Sequence, residues 1–189
     1  MKKVELAEVI PSKKIIVGDP KASITWMMFG DYESEASAKA NEVVKEILKA
    51  YPHEVKFIFR HFPLVRVNQK SHKAAEASLA AAQEGKFWEM HNELFAHQHS
   101  LGTISLKAHA REVGVKSKKI LDDLLSSYFG VYVQDDLKEG IQLGVRDVPA
   151  SFINGKRYEG DTTFKAINAY ISNLLETENV KSKRATKAA

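Results

Sequence analysis

The chain has 189 residues, of which 44% are hydrophobic, and a formal net charge of +4. This length can bury one sizeable core and predicts a single domain over residues 1–176, followed by a basic, disordered tail over 177–189. The basic residues that equal the whole net charge lie among the last nine and are Lys181, Lys183, Arg184 and Lys187. The neutral remainder argues against nucleic-acid binding, which needs basic residues gathered on a folded face.

The chain has no cysteine, which excludes disulfide bonds, thiolate zinc sites and cysteine nucleophiles. No apolar run has the length needed to cross a bilayer, so no membrane segment is expected. The first residues mix acids with apolar side chains and do not form the apolar stretch of a signal peptide. The sequence as given predicts a cytoplasmic protein, or a periplasmic one if a signal peptide has been removed.

The first third of the chain predicts a βαβ unit. Residues 24–29 form a continuous apolar and β-branched run, typical of a strand that is buried on both faces. Apolar residues then recur at helical spacing over 34–51, and residues 55–62 return to strand character.

An all-helical insertion is predicted over about 66–140. An alanine-rich run of high helix propensity ends at Gly85. Further helices are predicted over 87–97, 106–113 and 117–137, of which the last is the longest.

The remaining segments predict a ββα unit. Two short strands, 150–153 and 156–158, flank Asn154-Gly155, the dipeptide that best accepts the positive φ angles of a type I′ turn. A last helix, over about 163–175, has its apolar residues on one face.

Four segments with this order and spacing carry a family resemblance. They are FGDYE (29–33), RHFPL (60–64), GKFWEMHNELF (85–95) and GVRDVPASFINGK (144–156). Together they resemble the DsbA-like branch of the thioredoxin superfamily, a family of bacterial-type thiol:disulfide oxidoreductases. The resemblance covers roughly residues 18–175 and implies an α/β, thioredoxin-like fold in which a helical insertion separates the βαβ and ββα units.

In that family the first long helix begins with a Cys-Pro-x-Cys motif, whose first sulfur is held as a thiolate at the helix N-terminus. The matching residues here are Ser34, Glu35, Ala36 and Ser37. Hydroxyl groups cannot form a disulfide couple, so Ser34 and Ser37 are degenerate positions and no catalytic residue is predicted. Because Glu35 also replaces the motif's proline, natural divergence is favoured over laboratory replacement of two cysteines.

Two interpretations of Ser34 stay open. It is a helix N-cap, with Glu33 and Glu35 adding favourable charge at the helix start. Alternatively, kappa-class glutathione transferases, which share the DsbA-like fold, place a serine here to orient the thiol of bound glutathione. Against this second interpretation, Asp31, Glu33 and Glu35 crowd the position with negative charge that opposes a thiolate.

Val148-Pro149 forms the other half of the family's site. The resemblance implies that this proline is cis and that the backbone before it faces the helix N-terminus. An extended peptide can pair with such a backbone as an added strand, without any cysteine. The predicted binding residues are therefore Ser34, Glu35, Val148 and Pro149, although a turn that has lost its ligand is an equal alternative.

Three histidines, His91, His97 and His99, lie close together in the sequence. His91 and His97 are six residues apart and do not share a helical face, and no carboxylate spacing was found to complete a site. No metal and no cofactor are therefore expected.

The leading functional hypothesis is a redox-inactive, DsbA-like protein that binds an extended peptide or protein partner beside Val148-Pro149. A glutathione-dependent transferase or isomerase that uses Ser34 is one alternative, and a purely structural or interaction module is another.

Overall fold

A computed structural model describes residues 9–123 and 126–187. Five strands form one sheet in the order β1-β3-β2-β4-β5. They are β1 (Val17–Gly18), β2 (Ile24–Gly30), β3 (Val55–His61), β4 (Ala150–Ile153) and β5 (Lys156–Tyr158). β2 and β3 pair in parallel, and the other neighbours are antiparallel. The thioredoxin-like arrangement that the sequence predicts is confirmed.

Seven helices are described in these residues, besides a short 3-10 turn at Ser12–Lys14. They are α1 (Glu35–Ala50), α2 (Ser71–Ala82), α3 (Phe87–Ala96), α4 (Thr103–Glu112), α5 (Lys118–Asp123), α6 (Gly130–Gln142) and α7 (Phe164–Lys187). α1 connects the parallel strands β2 and β3, α2 to α6 form the insertion, and α7 follows the β4-β5 hairpin.

The side chains of β2 alternate between two apolar clusters, as the period of a strand requires. Trp26 and Met28 belong to the main core, whereas Phe29 belongs to a smaller cluster. The smaller cluster also contains Phe62, Val145, Val148, Ala150 and Phe152. It therefore joins the ends of β2 and β3 to the segment that leads into β4.

The Asn154-Gly155 turn is confirmed. Asn154 has φ 48° and Gly155 has φ 75°, and they connect the paired residues Ile153 and Lys156. The turn is also attached to β2, because Asn154 Oδ1 accepts the Thr25 N–H at 2.8 Å.

The long helix predicted over 117–137 is wrong, because the structure has α5 and α6 in its place. Ser127, between them, has φ 58°, a left-handed conformation that a continuous helix cannot contain. The Ser126 hydroxyl donates to the Asp123 carbonyl at 2.9 Å, a local bond of the kind that competes with helix formation. Residues 124 and 125, which the prediction included, lie outside the described residues.

The last helix extends beyond residue 175, into the segment predicted to be a disordered tail. α7 continues to Lys187, and residues 188 and 189 lie outside the described part of the chain. The extension has a simple cause, since residues 164–187 contain neither glycine nor proline and are rich in helix-forming types.

Gly140 of α6 offers a test of the packing against the end of β2 and the residue that follows β3. A Cβ at this position would lie 2.7 Å from Phe62 Cδ2 and 3.1 Å from Phe29 Cδ1. We expect Gly140→Ala to lower the free energy of unfolding by about 1–3 kcal/mol in urea denaturation, because overpacking outweighs the gain in helix propensity. The exposed substitution Lys138→Ala on the same helix is the control, expected within about 0.5 kcal/mol of wild type. Stabilisation by Gly140→Ala would contradict the packing.

Candidate functional site

Ser34 is the N-cap of α1. Its Oγ accepts the Ser37 N–H at 3.2 Å, and its own backbone is extended, with φ −83° and ψ 117°. Glu35, in the first turn, is exposed. The capping interpretation of Ser34 is confirmed, while its role in binding stays a prediction.

Ser37, the second of the two serines that match the family's cysteines, is fully buried. Its Oγ accepts the Asp31 N–H at 3.3 Å. The hydroxyl therefore ties the loop before α1 to the helix and is not available to a ligand.

Asp31 holds this loop in place. Its carboxylate is buried and accepts the N–H groups of Glu33 at 2.7 Å and Leu64 at 2.8 Å. It also accepts from Asn68 Nδ2 at 2.9 Å and from the Ser71 hydroxyl at 2.5 Å. Asp31 thus connects the loop before α1, the segment after β3 and the start of α2. The sequence indicated only that it adds negative charge.

Two further side chains support the same loop. Glu33 Oε2 accepts the Lys70 N–H at 2.7 Å. Gln98 Nε2 lies 2.7 Å from the Tyr32 carbonyl and 3.1 Å from the Ser34 carbonyl, and donates to both. The loop is therefore bonded to the helical insertion on two sides.

A polar surface pocket of about 640 Å³ opens beside the N-terminus of α1. Its lining residues are Glu33, Glu35, Asn68, Lys70, Gln98 and His99. A hydrogen bond and the charge of Lys39, 2.9 Å away, lower the pKa of Glu35. The pocket combines two carboxylates with the cationic Lys70, so its lining is mixed in charge.

The Val148–Pro149 peptide bond is cis. The pairing of Phe29 with Ala150 places Pro149 beside the end of β2, the end from which the loop to Ser34 leaves. The Val148 side chain is buried in the smaller apolar cluster, and its N–H donates to Asp147 Oδ1 at 2.8 Å.

Leu64 links the two halves of the site. It packs against the cluster that contains Val148, and its N–H donates to Asp31. Pro149 also lines a separate pocket of about 320 Å³ with residues of β4 and β5, which shares no lining residue with the pocket at α1. The structure therefore brings Ser34 and Val148 to one edge of the sheet through intermediate residues.

A buried ionic network connects α6 to the end of β3, next to this site. Asp136 of α6 is 2.8 Å from Arg60 Nε and accepts both the backbone N–H of His61, at 3.0 Å, and its ring Nδ1–H, at 2.8 Å. The hydroxyl of Ser12 also donates to it, at 2.6 Å, and His61 Nε2 lies 2.8 Å from Ser78 Oγ. Burial alone would raise the pKa of Asp136, but the bonds and charges of His61 and Arg60 outweigh burial and lower it.

The three neighbouring histidines occupy different environments. His91 is buried, and burial lowers its pKa well below the usual value, so the ring is neutral. Its Nε2 donates to Asn41 Oδ1 at 2.9 Å, and its Nδ1 accepts from the Tyr32 hydroxyl at 3.0 Å. His99 lines the pocket at α1, and His97 lies beside Glu93. Glu93 is a carboxylate next to His97 that the sequence pattern did not indicate.

Serines occupy both positions at which a DsbA-like fold carries its reactive cysteines, so fold and site define a thioredoxin-fold protein without a thiol pair. A family model described as thioredoxin (Thioredoxin_4) matches residues 11–173, and the chain belongs to this family.

Solved structures with the same fold include that of oxidised BdbD from Bacillus subtilis. Its TM-score is 0.78 at 23% identity, covering 88% of this chain and 96% of that one. For DsbA from Chlamydia trachomatis the TM-score is 0.75 at 18% identity, with 90% and 94% covered. These likenesses concern the fold alone.

Curated relatives include the Na(+)/H(+) antiporter NhaA 1 of Mycobacterium sp. (strain KMS), which is 34% identical over 154 residues. The match covers 80% of this chain and 25% of that protein. A similar protein from Salinispora arenicola is 29% identical, with 90% and 26% covered. The chain thus spans about a quarter of these relatives. Within residues 9–123 and 126–187, no helix combines the length and apolarity that a membrane span requires.

The ionic network predicts that a substitution of similar size at Asp136 lowers the stability of the protein strongly. We expect Asp136→Asn to lower the free energy of unfolding by about 2–4 kcal/mol at neutral pH, because the buried Arg60 keeps only the partly exposed Glu139 as a countercharge and His61 loses its carboxylate acceptor. Urea denaturation followed by circular dichroism measures it. The neighbouring, exposed Asp135 provides the control, since Asp135→Asn should change stability by less than about 0.5 kcal/mol.

The stability difference between wild type and the Asp136→Asn variant should also depend on pH. The folded-state pKa of Asp136 lies below its ordinary value, so its stabilisation is complete above the unfolded-state pKa of about 3.9. It is lost as the pH falls through the lower, folded-state pKa. The part of the stability difference between wild type and Asp136→Asn that comes from the Asp136 charge should therefore shrink below about pH 4. A difference that persists unchanged into strong acid would contradict this assignment.

Proposed function

We propose that this protein does not exchange thiols and disulfides and instead binds an extended peptide or a segment of a partner protein between the α1 N-terminus and Val148-Pro149. The observation that carries the proposal is a pair of exposed valines beside the hydrogen-bonded loop that precedes α1. Val65 is 49% exposed and Val67 is 75% exposed, and both follow Leu64, which is bonded to Asp31.

The valines lie on an ordered turn. The N–H groups of Val67 and Asn68 both donate to the Leu64 carbonyl at 2.9 Å. An apolar side chain held on a fixed turn loses little conformational entropy when it binds, so a partner gains most of the free energy of burying it. This turn therefore supplies the apolar contact of the proposed site.

The backbone before Pro149 supplies the polar contact. A strand added by a partner would place a carbonyl on the Val148 N–H, which Asp147 Oδ1 now occupies. Asp147 is exposed, so its carboxylate can move into water at little cost. The carboxylates of Glu33 and Glu35, in the nearby pocket, are available to a Lys or Arg of a partner segment, with Lys70 in the same lining available to an acidic one.

The glutathione-dependent alternative has no comparable support. Glutathione brings two carboxylates, whereas the pocket at α1 is lined by Glu33 and Glu35 with Lys70 as its lysine. Glu35 also follows Ser34 directly, and its negative charge opposes a thiolate at that hydroxyl.

The redox part of the proposal is tested by insulin reduction with dithiothreitol. The wild type should show no turnover above the uncatalysed background, because a serine hydroxyl does not ionise or form a disulfide near neutral pH. The double variant Ser34→Cys, Ser37→Cys is the positive control and should gain activity, since it restores a thiol pair at a helix N-terminus. Catalysis by the wild type would exclude the redox-inactive assignment.

The binding part is tested with peptides selected from a random display library on the wild-type protein. We expect Val67→Asp to weaken the selected peptides by about tenfold, the worth of roughly one buried aliphatic side chain. Ile104, 89% exposed on α4, provides a matched control, and Ile104→Asp should leave the affinity unchanged. Failure to select any peptide, or equal loss in both variants, would favour the purely structural alternative.

A further inference from the structure

We propose that Glu93, His97 and His109 bind a divalent transition-metal ion of the Zn²⁺ type between α3 and α4. This site is separate from the proposed peptide site and independent of it. Glu93 lies one turn before His97 at the end of α3, and His109 comes from α4. One carboxylate and two imidazoles are a ligand set that Zn²⁺ uses in proteins.

The three side chains converge. Glu93 Oε1 lies 3.1 Å from His97 Nδ1 and 2.8 Å from His109 Nδ1. One ligand atom from each residue can be chosen so that all lie within 4.8 Å of one another. With zinc bonds of about 2.0–2.2 Å, neighbouring ligand atoms of a tetrahedron are about 3.3–3.5 Å apart. The Glu93–histidine separations therefore need to grow by roughly 0.2–0.7 Å.

The second nitrogen of His109 already has the partner that a metal ligand needs. His109 Nε2 lies 3.0 Å from the Ser100 carbonyl, and a carbonyl only accepts, so Nε2 carries a proton. In the neutral ring, the lone pair on Nδ1 then faces the Glu93 carboxylate. Two electron-rich atoms 2.8 Å apart repel each other unless a proton or a metal ion lies between them.

The position is also accessible. Glu93, His97, Ala108, His109 and Glu112 line a surface pocket of about 380 Å³. Its volume leaves room for a water molecule as a further ligand, and Glu112 is an exposed carboxylate at the same pocket. Coordination through His97 Nδ1 would replace its 3.1 Å hydrogen bond to the Glu93 carbonyl. A bound ion would connect the end of α3 to α4.

The test is calorimetric titration of ZnCl₂ into the full chain, freed of metal and of any affinity tag. We expect one ion per chain, a higher melting temperature with zinc, and at least tenfold weaker binding in His109→Ala and in Glu93→Gln. His99→Ala, which removes a nearby histidine outside the cluster, should bind as the wild type does.

A second variant separates loss of a ligand from loss of the fold. His97 is half exposed, so His97→Ala should unfold like the wild type without metal while losing zinc affinity and the visible absorption of bound Co²⁺. Absence of zinc binding, or equal binding by wild type and all three cluster variants, would overturn the proposal. The contact between Glu93 and His109 would then be a hydrogen-bonded pair that shares a proton.

Discussion

Asp136 is the buried charge that fixes the helical insertion on the sheet. It lies on α6 and faces Arg60 and His61 at the end of β3, with Ser12 completing its partners. Removing such ions from water costs several kcal/mol each, so the arrangement is favourable only when every partner is in place. Apolar contacts alone allow a helix to shift along a sheet. The directional bonds of Asp136 to Arg60 and His61 form in one position of α6 relative to β3. We interpret the network as a device that sets this position.

The candidate site depends on that position. α6 leads into the segment whose Val145 and Val148 pack against Phe29 and Phe62, and this segment ends at Pro149. A second buried carboxylate, Asp31, then holds the loop before α1 against the chain after β3. Two carboxylates therefore hold the segments around Ser34 and Ser37, the positions that match the family's cysteine pair. Neither carboxylate bonds to a sulfur atom, so this arrangement does not require a thiol.

The features that the sequence predicted well are local ones. Asn154-Gly155 specifies its turn through two adjacent backbones, and Ser34 caps a helix through an atom three residues away. The succession of β2, α1 and β3 along the chain follows from apolar runs of a few residues each. These signals lie within a few residues of the structure that they determine.

The features that were missed depend on distant partners. Asp31 meets Asn68 and Ser71, which are 37 and 40 residues away, and Asp136 meets Arg60 across 76 residues. Pairwise spacing cannot reveal such contacts. The break at Ser127 was missed for another reason, since the apolar periodicity over 117–137 continues through a residue that adopts a left-handed backbone.

The hydrogen bond from the Val148 N–H to Asp147 has a consequence for solubility. A backbone N–H without a partner, next to a sheet, can pair with the backbone of another chain. Identical chains all carry the same group, so such pairing leads to self-association. The Asp147 carboxylate occupies that N–H in the free protein. Another copy of the chain must therefore displace the Asp147 carboxylate before it can pair with the Val148 N–H. For a partner segment that fits the site, further contacts offset the free-energy cost of this displacement. We infer that Asp147 disfavours the pairing of identical chains at this backbone N–H.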